Sequence, residues 1–196
     1  MAIRVTSSVD NIDGPHALAG PKNELIDPRD DAGEVAIRFG TGLYPGCQVE
    51  KILTPDFVVA CCPRLLTGEP PLRSPADLSR HILIHDESIP SAGKGPIWGA
   101  WLKLAGVDGI DIERGPRFSN TLLVFEAVLE GQGVALVPWP LIEADVAAGR
   151  LSLPFAIHLP SAYSYSLVVP GALAEHGPVA AFREWLHAEA APLPAV

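Results

Sequence analysis

Three groups of residues in this chain have the chemistry to form a site. His81 and His85 stand four apart in "HILIHD", with Asp86 beside the second. On a helix that spacing would put two imidazoles on one face, where they could hold a zinc ion. The stretch reads instead as a strand over 82–86, and on a strand residues four apart face one way but lie about 13 Å apart along the chain. No third ligand stands at a useful spacing, so two structural histidines are expected, with no metal. Cys47, Cys61 and Cys62 are odd in number and include an adjacent pair. That is a poor disulfide framework and fits a reducing compartment, with Cys61 and Cys62 as small residues at a strand end.

The third group is made of hydroxyls and amides. Thr6, Ser7 and Ser8 follow the β-branched run "AIRV", Ser119, Asn120 and Thr121 precede the apolar run "LLVFEAVL", and Tyr163 and Tyr165 lie on a late strand. All of Ser119, Asn120 and Thr121 are good helix N-cap types. Three consecutive polar residues exceed what capping requires, so Ser119 is expected as the cap and Asn120 as a ligand reader. A helix start offers free N–H groups and the positive end of the helix dipole, which suit a carboxylate or another anion. By contrast, "GTGLYPG" lacks the following helix and the Lys-Ser/Thr pair of a phosphate loop, and no G-x-S-x-G elbow is present. No cofactor and no catalytic residue is expected, and the pattern points to binding without chemistry.

These groups need elements to position them. Strands are expected over 3–5, 34–40 and 82–86, one bent or two short strands in 51–63, a buried strand at "VALVP", and late strands near 155–158 and 164–169. Helices are expected from Pro75, with Ser74 as N-cap, then in "PIWGAWLKLAGVDG", after Asn120, in "PLIEADVAAGRL" and in "PVAAFREWLHAEA". From 10 to 31 the mixture of Gly, Pro and charges has no sustained period. Alternating strands and helices argue an α/β fold with a largely parallel sheet, which presents polar ligands at the carboxyl ends of its strands.

Composition narrows the function further. The chain has 196 residues, 20 of them Pro and 18 Gly, with 14 Lys and Arg against 23 Asp and Glu, a net charge of -9. Phosphate-backbone binding needs clustered Lys and Arg, and these are scattered, so direct nucleic-acid binding is not expected. There is no secretory signal and no apolar run near the ~20 residues of a membrane span. A cytoplasmic chain with no membrane contact is expected.

A series of motifs, in order, carries a resemblance: "VAIRFGTGLYPG", "VVACCPRLL", "PPLRSPADLSRHILIHD", "WGAWLKLAGVD", "GPRFSNTLLVFEAVLEGQGVALVPWPLIEADVAAGRL" and "FREWL". From about Val35 to its end the chain resembles the effector-binding domain of LysR-type transcriptional regulators, in the branch of the glycine-cleavage activator and the β-lactamase regulator. The resemblance implies a two-lobed, periplasmic-binding-protein-like (type 2) α/β fold, with a small polar metabolite as effector in an interlobe cleft. The first lobe would comprise 1–60 and 170–196, shortened and incomplete near 10–33, and the second 61–169, with crossings near 60–63 and 167–170. Carried over by position, Thr6, Ser7 and Ser8, then Ser119, Asn120 and Thr121, and finally Tyr165 are the implied ligand contacts. Such regulators bind DNA through a separate N-terminal helix-turn-helix, and this chain is expected to lack one. Effector domains of the family pair, so a homodimer or pairing with a full-length regulator is implied. The alternatives are a solute-binding protein of a transport system and, behind it, a small cytoplasmic enzyme using His81, His85 and the cysteines.

Overall fold

A computed structural model of the chain describes residues 35–89 and 97–190. The strand expected at 3–5, the turn of Thr6, Ser7 and Ser8, and the irregular stretch up to 33 lie outside the described residues. The chain divides into two compact units, one of Met1–Pro55 with Ala162–Val196 and one of Asp56–Ser161.

The first unit holds an antiparallel sheet in which β8 (Ser164–Pro170) lies between β1 (Ala36–Gly40) and β2 (Cys47–Leu53). Its alternation places Leu167 and Val169 on one face, where helix α5 (Gly177–Ala190) lays Val179 and Leu186 against them, with Phe182 and Ile52 at the margin. Polar side chains tie the same helix to β2, because Glu50 receives both Arg183 and His187, the latter through Nε2 at 3.0 Å.

The second unit is built on a sheet of order β5-β4-β6-β3-β7: β3 is Asp56–Cys61, β4 Leu83–Asp86, β5 Arg117–Phe118, β6 Val134–Pro138 and β7 Leu159–Pro160. Every residue of β6 and all of β3 after Asp56 are buried, as continuous apolar runs demand of strands covered on both faces. Helices α3 (Thr121–Leu129) and α4 (Trp139–Ala147) bring Val124, Ala127, Val128 and Ile142 onto Val58, Ala60, Ile84, Ala135 and Val137. Helix α2 (Ile97–Ala105) buries Trp98 and Trp101 completely. Their indole N–H groups reach the carbonyls of Ile84 and Ile157 at 3.2 and 3.3 Å, which removes the cost of burying a polar atom. A four-residue helix, α1 (Arg64–Thr67), and a 3-10 helix at Pro75–Arg80 complete the unit. At the latter Asp77 accepts from the backbone N–H and the hydroxyl of Ser74, at 2.8 and 2.9 Å. These bonds, with the Arg80 guanidinium, hold its carboxyl well below the usual carboxylate range.

Three features differ from the sequence expectation. Neither sheet is largely parallel: in the second unit's mixed sheet β4 runs parallel to β5 and β6 while β3 opposes β6 and β7, and in the first unit's antiparallel sheet β8 opposes β1 and β2. Alternating helices fix direction only between strands joined by a crossover, and β3 and β8 pair with partners far away in the chain. The boundaries expected at 60/61 and 169/170 fall inside β3 and β8, because strand pairing keeps each of them whole within one unit. Finally, 155–158 is not a strand. Phe155 turns inward to pack at 5.5 Å on Trp101, and the Ile157 carbonyl is taken by the Trp101 indole rather than by a neighbouring strand.

Candidate functional site

The second unit places polar groups where its parallel strands end. Strand β4 ends at Asp86 and β5 at Phe118, which are paired in register, and α3 begins three residues after β5. The Glu87 N–H donates to the Phe118 carbonyl at 2.8 Å, so the chain after β4 stays against the chain entering α3. Asp86 then turns the backbone, accepting from the Ser88 N–H at 2.9 Å and from the Ser88 hydroxyl, as Asp at a turn commonly does. Its second oxygen accepts from Thr121 Oγ1 at 2.6 Å, and the Ser88 and Thr121 hydroxyl oxygens lie 2.9 Å apart. The result is a half-buried knot of one carboxylate and two hydroxyls on the first turn of α3. Arg117, on the adjoining strand, pairs with Glu113 at 2.6 Å and Glu87 at 3.7 Å, and no cation among the described residues pairs with Asp86.

The cap of α3 corrects an expectation. Asn120, not Ser119, is the N-cap: its backbone is extended, with φ -141° and ψ 123°, and its Oδ1 accepts from the Leu122 N–H at 2.8 Å. The Asn120 carbonyl takes the Leu123 N–H at 3.1 Å, so the Leu122 and Leu123 donors, expected to be free for an anion, are already engaged. Ser119 is exposed, Thr121 is half-buried in the knot, and Leu122 and Leu123 form an exposed apolar flank. At its other end α3 closes on Gly131, whose φ of +66° is left-handed. The Gln132 N–H reaches back to Ala127 O and the Gly131 N–H to Val128 O, both at 2.9 Å, a pairing that satisfies two of the terminal carbonyls. The Arg64 guanidinium donates to the Glu130 carbonyl beside it.

Tyr165 belongs to the first unit. It stands on β8 opposite Phe39, with ring centroids 4.7 Å apart, next to a hydroxyl pair formed by Thr54 and Ser164 at 2.7 Å. Thr6, Ser7 and Ser8 lie outside the described residues. His85 is buried on β4, with Nε2 3.4 Å from the Arg114 carbonyl, and burial pushes its pKa down. His81 is half-buried at the end of the 3-10 helix and is likewise lowered, by burial and then by Arg80. Burial pushes the Cys61 thiol up to about 12, with Cys62 adding to it, which leaves almost no thiolate at neutral pH. Among the described residues no group of His, Cys, Asp and Glu is arranged to hold a metal ion, and no helix is long and apolar enough to cross a membrane.

Sequence reasoning missed two residues of the knot. Asp86 reads as a neighbour of the histidines and Ser88 carries no motif. The available signal is "HDES": an Asp ending a strand with a Ser two residues later is a side-chain-to-backbone turn, and such turns mark strand ends.

Residues 19–191 match the family model described as LysR substrate binding domain. The glycine cleavage system transcriptional activator of Escherichia coli strain K12 is 40% identical over 161 residues, which cover 82% of this chain and 51% of that protein. The HTH-type transcriptional activator AmpR of Pseudomonas aeruginosa is 31% identical over 165 residues, covering 84% of this chain and 52% of that protein. The chain thus spans about half the length of the curated relatives it matches. Among solved structures, the effector domain of AmpR of Pseudomonas aeruginosa matches with TM-score 0.70 at 30% identity, over 84% of this chain and 76% of that one. The AmpR effector binding domain from Citrobacter freundii, at 20% identity and TM-score 0.71 over 84% of this chain and 78% of that one, shares the fold.

Proposed function

The chain belongs to the LysR substrate-binding domain family and has its periplasmic-binding-protein-like type 2 α/β fold, and from that premise we propose that it senses a small polar metabolite as part of transcriptional control. The observation that carries this reading is the meeting of Asp86, Ser88 and Thr121 at the carboxyl ends of parallel strands, beside the first turn of α3. That is where α/β sheets present ligands, because the strand ends diverge there and leave polar groups accessible. Ser119 and the Asn120 amide flank the same turn and complete the proposed contact set. Tyr165, with Thr6, Ser7 and Ser8, is proposed as a ligand contact on the sequence resemblance.

We assign the chain to the cytoplasm, where its relatives' work on transcription would require it. It pairs there with a second copy or with a full-length regulator and makes no DNA contact of its own. The test is a thermal melt of the chain against a metabolite library. A ligand present at a hundred times its Kd should raise stability by about 2.7 kcal/mol, and Thr121→Val should remove most of that gain. A library that leaves the melt unmoved throughout would overturn the sensing role.

A further inference from the structure

Helix α5 of the first unit turns its apolar and basic side chains to the sheet in different ways from the rest of its surface. Val179 and Leu186 enter the core, and the helix's two basic residues, Arg183 and His187, both reach Glu50 on β2. Outward stand Pro178, Ala181, Trp185 and Ala188, all exposed. Their spacing of three, four and three residues is the recurrence that lets two helices lie along each other. Trp185, its ring stacked 5.7 Å from that of Phe182, is the large side chain of this stripe. Ala181 and Ala188 to either side are small and let a neighbouring helix come close. At 14 residues the helix is about 21 Å long, enough for two heptads of contact.

The stripe has an acidic border on each side. With 3.6 residues per turn, Glu184 falls along one margin and Glu189 along the other, the positions that carry interhelical salt bridges where helices pair. Both are exposed, and neither pairs with a cation among the described residues. A second copy of α5 would set acid against acid in either direction: Glu184 against Glu189 in a parallel pair, each against its own counterpart in an antiparallel one. A helix with lysines or arginines at its margins would instead meet opposite charge, on a chain whose net charge of -9 also draws it in.

We propose that the outer face of α5 docks a basic amphipathic helix of another protein. The partner's apolar stripe lies over Ala181, Trp185 and Ala188, and its cations reach Glu184 and Glu189. This surface belongs to the first unit alone and does not depend on the sensing role.

Three synthetic peptides test this on the intact chain by fluorescence anisotropy. One is a helix with an apolar heptad stripe and lysines at its margins, the second carries glutamates at those margins, and the third is the lysine peptide scrambled so that the stripe is lost. At physiological salt the lysine helix should bind at least tenfold more tightly than either of the others. Glu184→Lys combined with Glu189→Lys should reverse the order of the lysine and glutamate helices, and Trp185→Ser should weaken the lysine helix at least tenfold. Thermal melts check that the variants fold; if Trp185→Ser does not, the charge reversal decides by itself. In sedimentation the lysine helix should dissociate any self-associated form. Equal binding of the scrambled peptide reduces the effect to net charge, and an order unmoved by the charge reversal puts the contact elsewhere. A dimer through Trp185 that the lysine helix cannot displace gives the face to a second copy. Each of these results, like the absence of binding, overturns the proposal and leaves the sensing role standing.

Discussion

Asn120 has one clear structural task, accepting the Leu122 N–H at 2.8 Å, and its removal leaves that donor without a partner. Asn120→Ala should therefore cost about 1 kcal/mol of folding stability, whereas exposed Ser119→Ala should change it by less than about 0.5 kcal/mol. Chemical denaturation of the two variants checks the pair, and equal effects would return the cap to Ser119. Acid stability is also decided at single residues. The pKa values of His81 and His85 lie below the ordinary 6.5, so the unfolded chain takes up protons first as pH falls. Their contribution is fully present above about pH 6.5 and is lost progressively on acidification. The Asp77 carboxyl, lowered from 3.8 chiefly by the Ser74 hydroxyl, adds a second decline below that value. His85→Gln should flatten the upper part of the profile between pH 7 and 5 in denaturation series, and an unchanged slope there would contradict the assignment.

Helix α3 joins these residues to the sheet. Its start is held by Asn120 and the Asp86 knot, and its end by the left-handed Gly131 against the Arg64 guanidinium. A β-carbon at Gly131 would stand 2.4 Å from Arg64 Nε. The side chain can swing away, but the backbone cannot leave φ +66° without breaking the Gln132 to Ala127 bond. Gly131→Ala should thus cost about 1–2 kcal/mol, and adding Arg64→Ala should recover only the small steric part. A double-mutant cycle in urea measures the division, and full rescue by Arg64→Ala would show that crowding rather than conformation is at stake. Because β4 and β5 end beside the other end of this helix, loosening α3 should also weaken any ligand read by Thr121.

At the scale of the whole molecule, charge and exposed apolar surface govern association. A net charge of -9 leaves little to neutralise phosphates, so any retardation of DNA by this chain should vanish as salt rises through the physiological range. Sequence-specific retardation that resists salt would contradict this. Helix α5 turns Leu186 into the core of the first unit, while Trp185 stays 38% exposed with its ring stacked 5.7 Å from that of Phe182. An aromatic pair on the outside of a helix is a candidate contact for a second chain. Sedimentation should show self-association at micromolar concentration, reduced by Trp185→Ser, and a stable monomer at high concentration would remove the proposal of pairing.

Much of this organisation is legible in the chain by itself, because it is local. The apolar run after Asn120 and the glycines that end it specify α3; "VALVP" specifies a strand buried on both faces; Ser74 and Pro75 mark a helical start that the structure realises as a 3-10 turn. The ordered motifs from "VAIRFG" to "FREWL" identify the family. What depended on tertiary structure is whatever needs two distant segments. The pairing of β3 with β6, and of β8 with β1 and β2, runs across long stretches of chain, so neither the strand directions nor the division at Pro55 could be read from helix and strand alternation. The same holds for the knot. Asp86 and Thr121 are 35 positions apart, and only the register of β4 against β5 brings them to 2.6 Å, changing a helix start expected to attract anions into one already occupied by a carboxylate.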